Sequence, residues 1–187
     1  MSTPLPGPDP SAPNRFEFLA ALATTHRHAL DAEAADAEAT QRLAMELAPR
    51  FADGGSLLLL GPLGAGKTTF TQGLLKGLGY GGHPKSPSFV LQHVYKLAEL
   101  TVEHWDLYRL DPGDESQLAS VQHDLGAHGD LVIVEWPEAL IRRGLHRGAH
   151  LLTIELAPDA RPDIADTVPE VRRLTLWEPW AAPREQE

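Results

Sequence analysis

The first chemistry that the sequence predicts is the binding of phosphate groups. Residues 61–68 read G-P-L-G-A-G-K-T and match the pattern G-x-x-x-x-G-K-[ST]. The glycines let the backbone approach phosphate oxygens and turn successive N–H groups toward them. Lys67 can place its charge on the β- and γ-phosphates of a nucleotide, and the Thr68 hydroxyl can ligate Mg²⁺. We expect a nucleotide to contact Gly61, Leu63, Gly64, Ala65, Gly66, Lys67, Thr68 and Thr69.

Hydrolysis of a bound nucleotide also needs carboxylates near the phosphates, and two predicted strands end in one. The apolar run Leu131–Glu135 resembles a Walker B strand with Glu in place of Asp, so Glu135 would hold Mg²⁺ directly or through water. Asp106 ends another β-rich run and could orient water or complete the metal shell. It could equally cap a turn or pair with Arg109. The catalytic candidates are Lys67, Asp106 and Glu135, and the sequence leaves open which carboxylate positions the water.

A hydroxyl-bearing loop follows the predicted P-loop helix. It reads K-S-P-S over residues 85–88, a place where many P-loop proteins keep a switch that senses the γ-phosphate. Ser88 could reach Mg²⁺ or that phosphate. The alternative is a turn that only begins a strand.

The composition limits the class of protein and the kind of partner. The chain has 187 residues and no cysteine, which excludes disulfides, thiolate nucleophiles and Cys-based zinc sites and fits a reducing cytoplasm. Its formal net charge of −10 opposes direct binding of DNA or tRNA. No run approaches the roughly 18–20 apolar residues that span a bilayer, and the N-terminus lacks a signal-peptide pattern. We therefore expect a cytoplasmic protein that is not inserted in a membrane.

The chain divides into three predicted parts. Residues 1–25 form a proline-rich extension that we expect to be disordered, residues 26–178 form a single P-loop ATPase domain, and residues 179–187 form a C-terminal tail. The order of elements inside the domain predicts an α/β fold, a P-loop NTPase-like three-layer sandwich with a mixed central sheet flanked by helices.

The predicted elements start with a mainly helical stretch over 14–52, in which Asp36 is the expected N-cap and a short strand over 26–31 precedes the helix. Buried strands are predicted at Ser56–Leu60 and Leu131–Glu135 because both runs are short and apolar. The remaining predictions are helices at 67–78, 115–122 and 137–143, and strands at 88–96, 101–109, 150–157 and 171–177.

Together, these motifs resemble those of the TsaE family of bacterial ATPases. The family pattern G-x-x-G-A-G-K-T-T, S-P-[TS]-[FY], H-x-D-L-Y-R-L and E-W-x-E has counterparts at Gly61–Thr69, 86–89, His104–Leu110 and Glu135–Glu138, in the same order. The resemblance covers roughly residues 30–158. One departure is Ser88, where the family more often has Thr, which still supplies a hydroxyl.

The resemblance implies a function in the synthesis of threonylcarbamoyladenosine at position 37 of tRNA. ATP and Mg²⁺ would be the bound cofactors, and hydrolysis would support repeated cycles of a transferase made of TsaD and TsaB, which would hold the tRNA. The resemblance places Glu135 toward Mg²⁺, Ser88 in the switch-like segment and Trp136 beside the nucleotide.

Three other functions remain to be weighed against an ATPase. A small-molecule kinase would need an arginine-bearing lid, which Arg142, Arg143 and Arg147 could imitate, although they read more simply as a basic helix end. A GTPase would need an N-K-x-D motif, but the only asparagine is Asn14. A binding module controlled by nucleotide without significant hydrolysis is the third alternative, since no arginine finger is evident in the sequence.

Overall fold

A mixed seven-stranded sheet forms the centre of the domain. The computed structural model describes residues 24–85, 87, 90–110, 115–125, 130–157 and 171–180, so the predictions for Ser88 and for most of the two chain ends lie outside it. The strands are β1 (His26–Ala34), β2 (Gly55–Leu60), β3 (Gln92–Lys96), β4 (Thr101–Asp106), β5 (Asp130–Glu135), β6 (His150–Leu156) and β7 (Arg172–Pro179).

The sheet is parallel in the middle and antiparallel at both edges. Its strand order is β1-β7-β6-β2-β5-β4-β3. The strands β4, β5, β2 and β6 run parallel, whereas β3 pairs antiparallel with β4, and β7 and β1 continue antiparallel beyond β6. The carboxyl ends of β2, β4 and β5 therefore meet at one edge of the sheet, where ligands of open α/β sheets bind.

Helices cover both faces of the sheet. They are α1 (Ala37–Leu47), α2 (Lys67–Gly77), α3 (Glu115–Leu125) and α4 (Glu138–Arg142). One core cluster joins Leu74 of α2 to Leu57 and Ile133 of the sheet, and a second joins Leu118 of α3 and Leu140 of α4 to the opposite face. The predicted three-layer α/β fold is confirmed. Within the described residues, none of the helices has the length and hydropathy that crossing a bilayer requires.

Several elements follow directly from local sequence. Asp36 caps α1 as predicted, because its side chain accepts a hydrogen bond from the Ala39 N–H at 2.7 Å. The strands β2 and β5 fall within one residue of the apolar runs that predicted them, since a parallel central strand is buried on both faces.

Three predicted elements differ from the structure. The strand predicted over 88–96 begins only at Gln92, because the N–H groups of Val90 and Leu91 bond back to the Pro87 carbonyl in a turn. The stretch predicted as mainly helical contains the nine-residue strand β1, which extends beyond the predicted 26–31. Its sequence is poor in β-branched residues, and its pairing with β7 along the whole edge decides its conformation. The strand predicted over 101–109 ends at Asp106, because the chain then turns: the Asp106 side chain accepts from the Tyr108 N–H at 3.1 Å, and the Leu110 N–H bonds to the Leu107 carbonyl at 3.0 Å.

Close packing of α2 on α1 depends on glycine. A Cβ added to Gly73 would lie 2.5 Å from the Gln41 carbonyl oxygen and 2.9 Å from the Ala44 Cβ. A backbone oxygen at that distance cannot move aside without shifting α1. This contact fixes the helix that begins with Lys67 against the rest of the domain.

We predict that Gly73→Ala destabilises the protein although alanine favours helices. The forced separation of α1 and α2 should lower the free energy of unfolding by about 1–3 kcal/mol, as other overpacked cores do. Gly81→Ala is the matched control, because nothing lies within 4 Å of its added Cβ, and it should change stability by less than about 0.5 kcal/mol. Urea denaturation of both variants measures this, and equal stability of the two would contradict the packing argument.

A second prediction concerns pH. Burial, together with the neighbouring Asp124 carboxyl, raises the pKa of Glu103 to about 7 from an ordinary value of 4.5. Protonated Glu103 therefore favours the fold, an effect that is complete below pH 4.5 and lost as pH rises through 7. Glu103→Gln should consequently gain stability relative to the wild type as pH rises from 4.5 through about 7. A constant difference in unfolding free energy across that range would refute the assignment.

Candidate active site

The loop between β2 and α2 has a backbone that only glycine can adopt. Gly61 has φ 148°, and a Cβ there would lie 2.2 Å from the Ile154 carbonyl oxygen. Gly66 has φ 105° and precedes the first turn of α2 in the left-handed region. The loop thereby delivers Lys67 and Thr68 to the N-terminus of a helix whose dipole favours anions.

Lys67 is buried at the base of this loop. Its Nζ donates hydrogen bonds to the Gly61 carbonyl at 2.7 Å and the Pro62 carbonyl at 3.0 Å, and it lies 3.6 Å from the centre of the Trp136 ring. Burial lowers the pKa of Lys67, while the carboxylates of Glu135, Glu138 and Asp106 act in the opposite direction. The Lys67 amine is therefore largely shielded from water and has several acidic neighbours.

Glu135 is the carboxylate that contacts the phosphate-binding loop. Its Oε2 accepts a hydrogen bond from the Thr68 hydroxyl at 3.0 Å, and its Oε1 lies 2.8 Å from Nε2 of His104. The side chains of Glu135 and His104 are both buried.

The oxygens of Thr68 and Glu135 suit a magnesium ion. Neighbouring ligands of an octahedral Mg²⁺ with bonds of about 2.1 Å lie about 3.0 Å apart. The 3.0 Å between Thr68 Oγ1 and Glu135 Oε2 meets that spacing. Both are hard oxygen donors, and Mg²⁺ commonly takes its remaining ligands from water and phosphate. The pair therefore fits the ion that the sequence predicts.

Asp106 lies beside Glu135 across the sheet. The two residues are register partners at the ends of β4 and β5, and Asp106 is buried. Its Oδ1 accepts a hydrogen bond from the Tyr108 N–H at 3.1 Å, which is the capping role weighed as an alternative in the sequence. Asp106 also borders the same cavity as Glu135, so the capping contact and a place in the site coexist.

A cavity of about 220 Å³ lies between the loop and the two strand ends. It brings together most of the residues that the sequence predicts for the site. Gly61 and Ala65 do not line it: Gly61 contributes instead a carbonyl that accepts from Lys67, and Ala65 is fully buried. The lining residues are Leu63, Gly64, Gly66, Lys67, Thr68, Thr69, Asp106, Tyr108, Glu135 and Trp136.

Trp136 adopts an uncommon backbone conformation to reach this cavity. Its φ is 59°, in the left-handed region that bulky residues rarely occupy. Its N–H donates to the Leu59 carbonyl at 3.3 Å, and its ring packs on Tyr108 with centroids 4.7 Å apart. The turn after β5 thus places an aromatic ring between Tyr108 and the Lys67 amine.

Sequence reasoning assigned no role to three residues at the site. The motif that contains His104 and Tyr108 predicts no individual role for either residue, although the spacing of His104 and Asp106 in a strand puts both on one face. Arg172, 107 residues from Ala65 in the chain, donates from Nε to the Ala65 carbonyl at 3.1 Å. No pattern around Arg172 indicates this contact.

Comparison with known proteins gives a consistent result. The family model for "Threonylcarbamoyl adenosine biosynthesis protein TsaE" matches residues 34–163. The tRNA threonylcarbamoyladenosine biosynthesis protein TsaE of Streptomyces coelicolor is 35% identical over 146 residues, covering 75% of this chain and 93% of that protein. Its counterpart from Synechocystis is 40% identical over 107 residues, covering 56% and 68%. The crystal structure of Bacillus subtilis YdiB is similar with a TM-score of 0.59 and 26% identity, covering 82% of this chain and 86% of that one.

The contact between Arg172 and the loop yields a prediction. Arg172→Met keeps the aliphatic stem but removes the donor to Ala65, so the loop should lose part of its preorganisation. Since Arg172 is partly exposed, we expect a loss of about 1 kcal/mol, or about fivefold in the dissociation constant for ATP. Arg173→Met is the control, because Arg173 contacts exposed Glu33 instead. Equal ATP affinity of the two variants in a titration would show that the contact does not support the loop.

Proposed function

The chain belongs to the TsaE family of threonylcarbamoyl adenosine biosynthesis proteins, and from this premise we propose that it binds ATP with Mg²⁺ and hydrolyses it during formation of threonylcarbamoyladenosine in tRNA. The observation that carries the proposal is the meeting of the Thr68 hydroxyl and the Glu135 carboxylate at 3.0 Å beside Lys67. A cation held there would lie next to the loop that carries the phosphates.

Each residue of the site has a chemical role in this proposal. The N–H groups at the start of α2 and the Lys67 amine would bind the β- and γ-phosphates, with phosphate oxygens replacing the carbonyls that now accept from Lys67. Thr68 and Glu135 would hold Mg²⁺, which neutralises charge on the phosphates. Asp106, next to Glu135 in the sheet, would orient the attacking water.

The charge of the site favours the magnesium complex of ATP over free ATP. Glu135, Glu138 and Asp106 all act on the single amine of Lys67, so an unaccompanied tetraanion would meet a surplus of negative charge. Burial raises the pKa of Glu138, which reduces but does not remove this surplus. A divalent cation bound where the carboxylates converge would reduce this surplus of negative charge.

The partners in this proposal are TsaD and TsaB, with tRNA reached only through them. The net charge of −10 makes direct capture of a polyanion unfavourable. Recruitment by a transferase complex removes the need for a basic surface on this chain. In this proposal the protein acts in the cytoplasm and hydrolyses ATP slowly alone, because none of the described residues that line the cavity is an arginine that could act as a finger in cis.

Two variants test binding and hydrolysis separately. Lys67→Ala should lose nucleotide binding, because it removes the amine that lines the cavity among the described residues. Glu135→Gln should keep the binding of ATP measured without Mg²⁺ but lose the increase in affinity that Mg²⁺ gives, and it should lower the rate of hydrolysis by about 100-fold or more, the usual effect of removing a group that stabilises transition-state charge. Lys76→Ala, an exposed lysine of the same helix, is the control and should resemble the wild type.

The measurement is ATP turnover by the purified protein, alone and with TsaB–TsaD from the same organism. A rise in rate with the partners supports an ATPase whose site is completed or released by the complex. ATP binding without hydrolysis in both conditions would instead favour a module controlled by nucleotide occupancy. Full hydrolysis by Glu135→Gln would refute the role given to that carboxylate.

A further inference from the structure

His104 makes the second contact to the proposed magnesium ligand. Its Nε2 lies 2.8 Å from Oε1 of Glu135, and the Thr68 hydroxyl binds the other carboxylate oxygen at 3.0 Å. His104 and Glu135 are 1% and 2% exposed, so water does not compete for the contact. The histidine does not line the cavity, and its effect on the bound nucleotide would pass through Glu135.

The two contacts together fix the orientation of the carboxylate. With only Thr68 as a partner, the carboxyl group of Glu135 could rotate about its last bond and present either oxygen to the cavity. The imidazole N–H holds Oε1 away from the cavity, which leaves Oε2 on the side of Thr68. In metal sites, partners of this kind orient the ligand and are often as important as the ligand itself.

The imidazole ring is itself held in place. The ring of Tyr95 stacks on it with centroids 6.5 Å apart and an angle of 29°. The Tyr95 hydroxyl donates to the Lys85 carbonyl at 2.9 Å and accepts from the Lys85 N–H at 3.3 Å. The backbone of His104 pairs with both neighbouring strands, opposite His93 and Ile133. A ring supported by a sheet and a stacked tyrosine can set the position of its partner.

We propose that His104 is a positioning residue, which holds Oε1 of Glu135 so that Oε2 and the Thr68 hydroxyl form a preset pair of Mg²⁺ ligands. This inference rests on the proposed function, because it assumes that Mg²⁺ binds there with ATP. A purely structural histidine, which only satisfies a buried carboxylate, would affect folding stability but leave the contribution of the metal to ATP binding unchanged.

The test compares His104→Gln with His104→Asn. The glutamine amide reaches the position of the imidazole Nε2 and keeps a donor for Glu135, whereas the asparagine amide reaches only the position of Nδ1. For each protein, the dissociation constant for ATP is measured by calorimetry once in EDTA and once in excess Mg²⁺. The ratio of the constant in EDTA to the constant in Mg²⁺ measures how much the metal strengthens ATP binding, and its measurement needs no turnover.

We expect His104→Asn to reduce this ratio by about tenfold or more, as loss of an outer-sphere partner commonly does. His104→Gln should stay within about threefold of the wild type, and ATP affinity in EDTA should be similar in all three proteins. Adding His104→Asn to Glu135→Gln should cause no further loss of the ratio. Should His104→Asn melt below the assay temperature, His104→Leu, which fills the space without a donor, gives the same comparison.

An unchanged ratio in folded His104→Asn or His104→Leu would overturn the inference while leaving the proposed function intact. So would equal losses in the Gln and Asn variants, because the donor would then be irrelevant. A wild-type protein whose ATP affinity does not increase with Mg²⁺ would overturn the magnesium site of the proposed function, and this inference with it.

Discussion

At the carboxyl edge of the sheet, one buried amine lies in the field of three carboxylates. Lys67 is 4% exposed, and Asp106, Glu135 and Glu138 all act on its charge. Such a cluster is tolerable in the fold because each charge has hydrogen-bonded partners within reach: two loop carbonyls for Lys67, a hydroxyl and an imidazole for Glu135, a backbone N–H for Asp106 and its own backbone N–H for Glu138. A triphosphate with its cation would complement the same set of charges.

The topology of the sheet brings these groups together. The carboxyl ends of parallel strands lie at a common edge of the sheet. The loop after β2 is therefore a neighbour of the last residues of β4 and β5. Gly61 and Gly66 let the loop fold back over the strand ends, and Gly73 lets α2 pack closely against α1. The packed sheet and α2 therefore adjoin the candidate nucleotide site, as a preorganised electrostatic site requires.

Much of this arrangement could be predicted from the sequence because it is local. The loop pattern, the apolar strands that precede Glu135 and the P-loop, and the cap at Asp36 each depend on a few adjacent residues. For β1, only a short strand over 26–31 could be predicted, since its composition suits a helix and its pairing with β7 continues the strand to Ala34. The contacts of His104 with Glu135 and of Arg172 with Ala65 depend on strand register and on which strands are neighbours, which no single segment encodes.

The proposed function depends most directly on where a divalent cation binds. Crystals grown with a non-hydrolysable ATP analogue and Mn²⁺ in place of Mg²⁺ would locate the ion by anomalous scattering. We predict one peak at the cavity, bonded to Thr68 Oγ1 and to Glu135 directly or through one water, beside the phosphates. A nucleotide bound in the loop with no peak there, or with the ion held away from both Thr68 and Glu135, would contradict the proposed magnesium site.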